Sequence, residues 1–241
     1  MKAAIIIPSR YASKRLPAKA LADIAGKPLV VWVYQACKKV RNAESVIVAT
    51  DHEMIKKAAK DFGAEVYMTS PEHQSGTDRC AEVAEKLDVE FIINVQGDEP
   101  FIDPMQLEKL IKHLIDHPNI EICTLFHQLP KEEVDDHSKV KLVKTLNDKI
   151  LYFSRSAIPH DKDDVGPSIY KHVGIYAFRK STLLEISQLS VSTLEQSEGL
   201  EQLRWLENGY DIYGLEINAS TMGIDTPEDL IRARNFVKNH Y

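Results

Sequence analysis

Residues 3–19 read Ala3-Ala4-Ile5-Ile6-Ile7-Pro8-Ser9-Arg10-Tyr11-Ala12-Ser13-Lys14-Arg15-Leu16-Pro17-Ala18-Lys19. The unbroken apolar run Ala3–Ile7, cut by Pro8, fits a short strand buried on both faces. The loop behind it carries four cations (Arg10, Lys14, Arg15 and Lys19) and no acid. Ligands of open α/β sheets bind outside the carboxyl ends of the strands, so this loop lies where a ligand would sit. Clustered like charges repel one another, and an anion such as a triphosphate would compensate them. A single charge run is ordinarily a solvated loop; its place directly after a buried strand favours function. Neither G-x-G-x-x-G nor G-x-x-x-x-G-K-[ST] is present, so neither a dinucleotide fingerprint nor a P-loop is supported.

Further strands are expected at Ser45–Ala49, Glu65–Met68 and Phe91–Val95. Between them, apolar residues recur at helical spacing in three sets. One runs from Leu29 to Val40, one from Met54 to Phe62, and one from Ala81 to Leu87. Asp103 followed by Pro104 reads as an N-cap with proline at the first helical position. Strands alternating with helices predict an α/β fold with a mostly parallel sheet. After about Ile120, strand-like segments at Glu121–Phe126, Val140–Lys144, Leu151–Ser154 and His172–Phe178 come with fewer helices. We expect one domain over 1–241 in which about 121–180 forms a smaller β-rich lobe. Thr226-Pro227-Glu228-Asp229 opens a last helix.

The chain has 241 residues, with 44% hydrophobic and 27% charged, as for a globular protein with a sizeable core. Its net charge of -6 gives no global field for nucleic acid or an anionic membrane. No segment approaches the roughly 18 apolar residues of a membrane helix. The first apolar run is shorter than the roughly 7–15 residues of a signal-peptide core. Three widely spaced cysteines without a Cys-x-x-Cys pattern fit reduced core thiols. A cytoplasmic location, without nucleic-acid binding or membrane insertion, is the expectation.

Two acidic loops could do chemistry. Asn94-Val95-Gln96-Gly97-Asp98-Glu99-Pro100 leaves a buried strand, where a carboxylate can hold a hard cation such as Mg²⁺; Gly-Asp and Glu-Pro are also ordinary turn pairs. Met222-Gly223-Ile224-Asp225-Thr226-Pro227 puts Asp225 just before a helix, where an acid also suits the helix dipole. Other features read as structural. His113 and His117 lack a third ligand. The Asp161–Gly166 loop lacks the pattern of a calcium loop. Trp32 and Trp205 read as packing residues and Cys80 as a buried thiol.

With these residues in view, the chain resembles the 3-deoxy-manno-octulosonate (Kdo) cytidylyltransferases, or CMP-Kdo synthetases, of lipopolysaccharide and capsule assembly. The resemblance rests on Pro8–Lys19, His73–Arg79, Gln96–Pro100, Tyr152–Arg155, Lys171–Tyr176, Leu200–Arg204 and Gly223–Glu228, in order along nearly the whole chain. It implies a Rossmann-like mixed sheet of the nucleotide-diphosphosugar transferase type with a dimerisation lobe, hence a homodimer. It implies transfer of CMP from CTP to the anomeric hydroxyl of Kdo with release of pyrophosphate, and a Mg²⁺ requirement. Carried over by position, Arg10, Arg15 and Lys19 would hold the triphosphate. Ser75, Gly76 and Arg79 would form the cytosine wall, and Asp98 and Asp225 would ligate Mg²⁺. Gln96, Arg155, His172, Tyr176, Glu201 and Gln202 would line the sugar pocket, with Arg155 pairing the sugar carboxylate.

One departure stands out. Pro17-Ala18-Lys19-Ala20 replaces the usual Pro-Gly-Lys-Pro, which sets an alanine where positive φ would favour glycine. The rival readings are a cytidylyltransferase for 8-amino-Kdo or another acidic sugar, a glycosyltransferase of the same fold type, and a non-catalytic nucleotide-binding module. Asp98-Glu99-Pro100 is not an Asp-x-Asp motif, which counts against the glycosyltransferase; both acids are present, which counts against the inert module.

Overall fold

A computed structural model of the chain describes residues 2–13, 16–163, 166, 168–218 and 222–240. In chain order it contains β1 (Ala3–Ser9), β2 (Asp23–Ile24), β3 (Lys27–Pro28), α1 (Leu29–Cys37), β4 (Ser45–Thr50), α2 (Glu53–Asp61), β5 (Glu65–Met68), α3 (Gly76–Ala84) and β6 (Phe91–Asn94). There follow α4 (Pro104–Asp116), β7 (Ile122–Gln128), β8 (Lys141–Lys144), β9 (Ile150–Ser154) and β10 (Tyr170–Arg179). The last elements are α5 (Lys180–Ile186), α6 (Thr193–Glu198), α7 (Gln202–Glu207), β11 (Ile212–Glu216) and α8 (Pro227–His240).

Among the described residues one sheet runs in the order β11-β7-β10-β6-β1-β4-β5, with β8 added to β10 and β9 to β8. β1 is parallel to β4 on one side and to β6 on the other. The chain therefore departs from β1 in two directions, and a crevice opens outside the carboxyl ends of β1 and β6. Every residue of β1 is buried, as a central strand covered on both faces must be. Ile5 and Ile7 face a core shared with α1 and α4, and Ala4 and Ile6 face a second core shared with α3 and Trp205. A third cluster joins the β2–β3 hairpin to α8 through Ile24, Leu29, Ile224, Leu230 and Val237.

The fold is α/β with a mostly parallel central sheet, as the sequence predicts. The β-rich part is not separate along its whole expected length. β10 is antiparallel to both β6 and β7, in the middle of the main sheet. Its register shifts between Val173 and Tyr176, so its first residues also pair with β8 while Tyr176–Arg179 pair with β6. What stands off the sheet path is the β8–β9 hairpin. β11 was not anticipated, because Gly214 interrupts its short apolar pattern. The glycine is required there: a Cβ would lie 2.6 Å from the Phe126 ring on the neighbouring strand.

The helix ends follow local chemistry. The Asp103 side chain accepts from the Met105 amide at the start of α4. Ser75 and Asp78 form a reciprocal capping box at α3. His113 sits in the last turn of α4 and His117 caps its end, and the three cysteines are buried.

Candidate active site

A cavity of about 700 Å³ occupies the crevice. Pro8, Ser9 and Arg10 from the loop after β1 line one side, and Gln96, Gly97 and Asp98 from the loop after β6 line the next. These loops are pressed together because position 97 has no side chain. A Cβ there would sit 2.8 Å from Ser9 Oγ and 3.0 Å from the Pro8 carbonyl. At Gly76, on the opposite wall, a Cβ would meet Pro8 Cγ at 3.2 Å.

At one end of the cleft Lys19 Nζ donates to Asp98 Oδ2 at 2.6 Å and to Asp225 Oδ1 at 2.9 Å. Two acids 127 residues apart in sequence thus meet at one ammonium. The backbone makes this possible: the Ile224 amide donates to the Asp98 carbonyl at 2.9 Å, and buried Ile224 anchors the segment in the third core cluster. Asp229 Oδ2 accepts from the amides of Asp225 and Thr226, fixing the turn into α8. Burial disfavours the Lys19 charge, but the two carboxylates more than offset it and hold its pKa above the ordinary lysine value. Ala18 adopts the left-handed conformation, φ 51° and ψ 36°, the strained geometry the Gly-to-Ala departure brings into question. Arg15 lies outside the described residues.

Among the described residues no group of three or more His, Cys, Asp or Glu side chains is arranged to hold a metal. The paired carboxylates nevertheless suit a hard cation. Mg²⁺ takes one or two protein carboxylates and completes its shell with water and substrate phosphate.

The opposite wall carries Ser75, Gly76 and Arg79. Arg79 is 2% exposed and spends its guanidinium inside the protein. Its Nη2 donates to Asp51 at 3.0 Å, and its Nη1 contacts Thr69 Oγ1 and the Ser70 carbonyl. Glu201 reaches the cleft from the turn before α7 and accepts from Thr77 Oγ1 at 2.8 Å. Burial pushes its carboxyl up to about 7, although hydrogen bonds from Thr77 and Ser75 pull the other way.

Of the remaining residues expected in a sugar pocket, Gln96 lines the cleft. His172, Tyr176 and Gln202 are buried and do not line it. His172 Nε2 is 3.0 Å from Thr124 Oγ1, and burial lowers its pKa to about 3, so the ring is neutral. The Tyr176 hydroxyl and Gln202 Nε2 are buried without a hydrogen-bond partner among the described residues. Such groups are costly unless something completes them.

Arg155 is not among the residues that line the cleft. Its guanidinium does not project into the cleft. Nε donates to the Glu198 carbonyl at 2.8 Å, Nη1 to the His137 carbonyl at 3.2 Å and Nη2 to the Gly199 carbonyl at 3.4 Å. The turn that ends α6 offers two of these carbonyls and the loop before β8 offers the third, and the fork is drawn to them. Arg155 therefore braces the Gly199 segment, which itself lines the cleft. Sequence reasoning missed Asp51 and Thr77, which hold the lining residues Arg79 and Glu201, and Thr124, which contacts buried His172. Asp51 follows β4 as Arg10 follows β1, a strand-exit position that was the available signal.

A cytidylyltransferase family model matches residues 4–212. A 3-deoxy-manno-octulosonate cytidylyltransferase of Bacteroides thetaiotaomicron is 45% identical over 251 aligned residues, covering 99% of each chain. The enzyme of that name from Escherichia coli is 43% identical, covering 97% of this chain and 95% of its own. The chain belongs to the 3-deoxy-manno-octulosonate cytidylyltransferase family. A solved structure described as a CMP:2-keto-3-deoxy-manno-octonic acid synthetase complexed with CTP superposes with a TM-score of 0.96, at 42% identity and full coverage of both chains. HddC from Yersinia pseudotuberculosis, at 14% identity and a TM-score of 0.71, shares the fold alone.

Proposed function

We propose that this chain, like the members of its family, transfers CMP from CTP to the anomeric hydroxyl of Kdo and releases pyrophosphate. The observation that carries the reading is the full-length match to a synthetase complexed with CTP, together with a cleft that gathers cations and two carboxylates at the sheet's carboxyl edge. Transfer at the α-phosphate needs alignment and charge neutralisation rather than a covalent enzyme intermediate.

In this reading Arg10, Arg15 and Lys19 bind the triphosphate and stabilise the departing pyrophosphate. Ser75, Gly76 and Arg79 form the cytosine wall. Asp98 and Asp225 would hold Mg²⁺, which when bound polarises the α-phosphate and lowers the pKa of the attacking hydroxyl. Gln96 and Glu201 face the sugar, and buried Tyr176 and Gln202 offer unsatisfied polar atoms. Their buried donors favour a hydroxyl-rich ligand and would penalise one that leaves them unpaired. The neutral His172 ring, in contact with Thr124, packs beside Tyr176.

The β-rich part, about 121–180, is proposed as the dimerisation lobe. Leu129, Val134 and Ile169 help line a second cavity of about 620 Å³ there, and Leu146 and Leu151 are exposed on the β8–β9 hairpin. No described helix is long and apolar enough to cross a membrane, and the cytoplasm is the proposed location.

The test is pyrophosphate release from CTP with Kdo, 8-amino-Kdo or N-acetylneuraminate as acceptor, with and without MgCl₂. Kdo should be the preferred acceptor and the reaction should need the metal. Preference for 8-amino-Kdo or N-acetylneuraminate would reassign the sugar, and no release with any acceptor would point to a non-catalytic module.

A further inference from the structure

Asp51 does not line the cleft, yet both of its carboxylate oxygens are committed to walls that do. Oδ1 accepts from the Tyr11 amide at 3.0 Å, one residue beyond Arg10 in the cationic loop. Oδ2 accepts from Arg79 Nη2 at 3.0 Å, on the wall opened by Ser75 and Gly76. The Arg79 side chain is 3% exposed and that of Asp51 14%, so solvent screens the pair weakly. The carboxylate is itself held from both sides. Its own backbone follows β4, whose last residue, Thr50, accepts at its carbonyl from the Thr69 amide at 2.9 Å and from Thr69 Oγ1 at 3.1 Å. Thr69 Oγ1 is also a partner of Arg79 Nη1. On the other side, the Tyr11 ring stacks on His52 with centroids 3.8 Å apart and planes at 14°.

We propose that Asp51 is a positioning residue for the nucleotide half of the site, acting as a clasp that fixes the spacing between the Arg10 loop and the Arg79 wall. The inference rests on the cytidylyltransferase reading and deepens it. A rigid triphosphate site needs its loop cations at a set distance from the wall that reads the base, and displacements of about 1 Å cost catalytic sites heavily. The loop after β1 is rich in like charge and would otherwise spread. One planar carboxylate with two in-plane acceptors ties it to a buried guanidinium in a single unit. Asparagine cannot replace it, because its amide nitrogen would face either the Tyr11 N–H or the guanidinium, both donors.

Two variants test the clasp. Asp51→Glu keeps the counter-charge for Arg79 but adds one methylene, so the fold should survive while the spacing changes. Asp51→Asn keeps the size but removes the charge. KM for CTP and for Kdo are measured on the folded fraction of each, together with the shift in Tm that CTP alone produces. The expected result is a rise of tenfold or more in KM for CTP, with KM for Kdo within about twofold of the parent, and a reduced CTP-induced Tm shift in both variants. If Asp51→Asn does not fold, Asp51→Glu decides. A wild-type KM for CTP in the folded variants would overturn the proposal and leave Asp51 a structural ion pair. An equal rise for both substrates would also overturn it. Failure of the parent enzyme to use CTP at all would instead refute the functional reading.

Discussion

Replacing Lys19 by methionine keeps the aliphatic stem and deletes the ammonium that joins Asp98 to Asp225. A hydrogen bond to a charged group contributes about 1.5–3 kcal/mol net, and exposed ion pairs about 0–1 kcal/mol. The Lys19 and Asp98 side chains are 19% and 25% exposed, so that contact belongs near the lower end of the first range. Asp225 is 40% exposed, so its contact belongs to the second. Together the loss should be about 1.5–2.5 kcal/mol, some of it repulsion between the carboxylates left facing each other. Because the folded pKa of Lys19 is raised, its contribution is fully present below the ordinary lysine pKa and is lost only as pH rises through the folded value. Across pH 6–9 the effect should therefore be flat. Urea unfolding of Lys19→Met should show a lower midpoint at an unchanged slope. The same variant should gain more stability from MgCl₂ than the parent does, because the cation no longer competes with an ammonium. A tenfold tighter site adds up to about 1.4 kcal/mol at saturating metal. Turnover should nonetheless fall by about 10²–10³, the usual cost of losing one transition-state donor. An unchanged midpoint with an unchanged MgCl₂ response would refute the ammonium bridge.

Three further outcomes follow from local geometry. Ala18→Gly removes a left-handed cost of about 1–2 kcal/mol and adds about 0.5–1 kcal/mol of unfolded-chain entropy, so thermal unfolding should show a net gain of up to about 1.5 kcal/mol; a clear loss would contradict the observed φ. Gly97→Ala should destabilise by about 1–3 kcal/mol and weaken CTP binding in calorimetry, since the neighbour at 3.0 Å is the Pro8 backbone; wild-type affinity would mean the two loops can part freely. For Glu201, whose carboxyl is raised to about 7, the folded state holds a proton that the unfolded state has released. Its stabilising contribution is therefore present at low pH and declines from the ordinary carboxylate pKa up to about 7, with a slope of at most about 1.4 kcal/mol per pH unit. Glu201→Gln should flatten the Tm–pH curve between pH 5 and 7, and a curve parallel to the parent's would place the titration elsewhere.

The parts of this fold most legible in the sequence are those whose signal is local. The run Ala3–Ile7 is apolar without a break because β1 is covered on both faces, and Asp103-Pro104 marks the start of α4 by a cap visible within three residues. Asp98 at a strand exit and Asp225 before a helix are legible in the sequence, but their convergence depends on the Ile224–Asp98 backbone bond, which spacing cannot reveal. Arg155 shows the converse. The residue type fitted a carboxylate partner, yet the end of α6 at Gly199 presents carbonyls that claim the guanidinium first. Asp51 is illegible for the same reason, since an acid after a strand acquires meaning only when α3 brings Arg79 beside it. Gly214 hid β11 because its requirement is set by Phe126, on a strand far away in sequence.

The placement of β10 between β6 and β7 has a consequence for the newly synthesised chain. β1 and β6 can pair once Asn94 has been made, but the other edge of β6 waits for Tyr176, 82 residues later. At about 5–20 residues per second that interval is about 4–16 s. Throughout it the edge of Phe91–Asn94 offers unpaired backbone groups to any other strand, the situation that invites intermolecular pairing. The strand that leads into the Asp98 loop is thus open on one side through a long stretch of synthesis, and the charged residues that follow it in sequence, Asp98 and Glu99, are its nearest deterrent to aggregation.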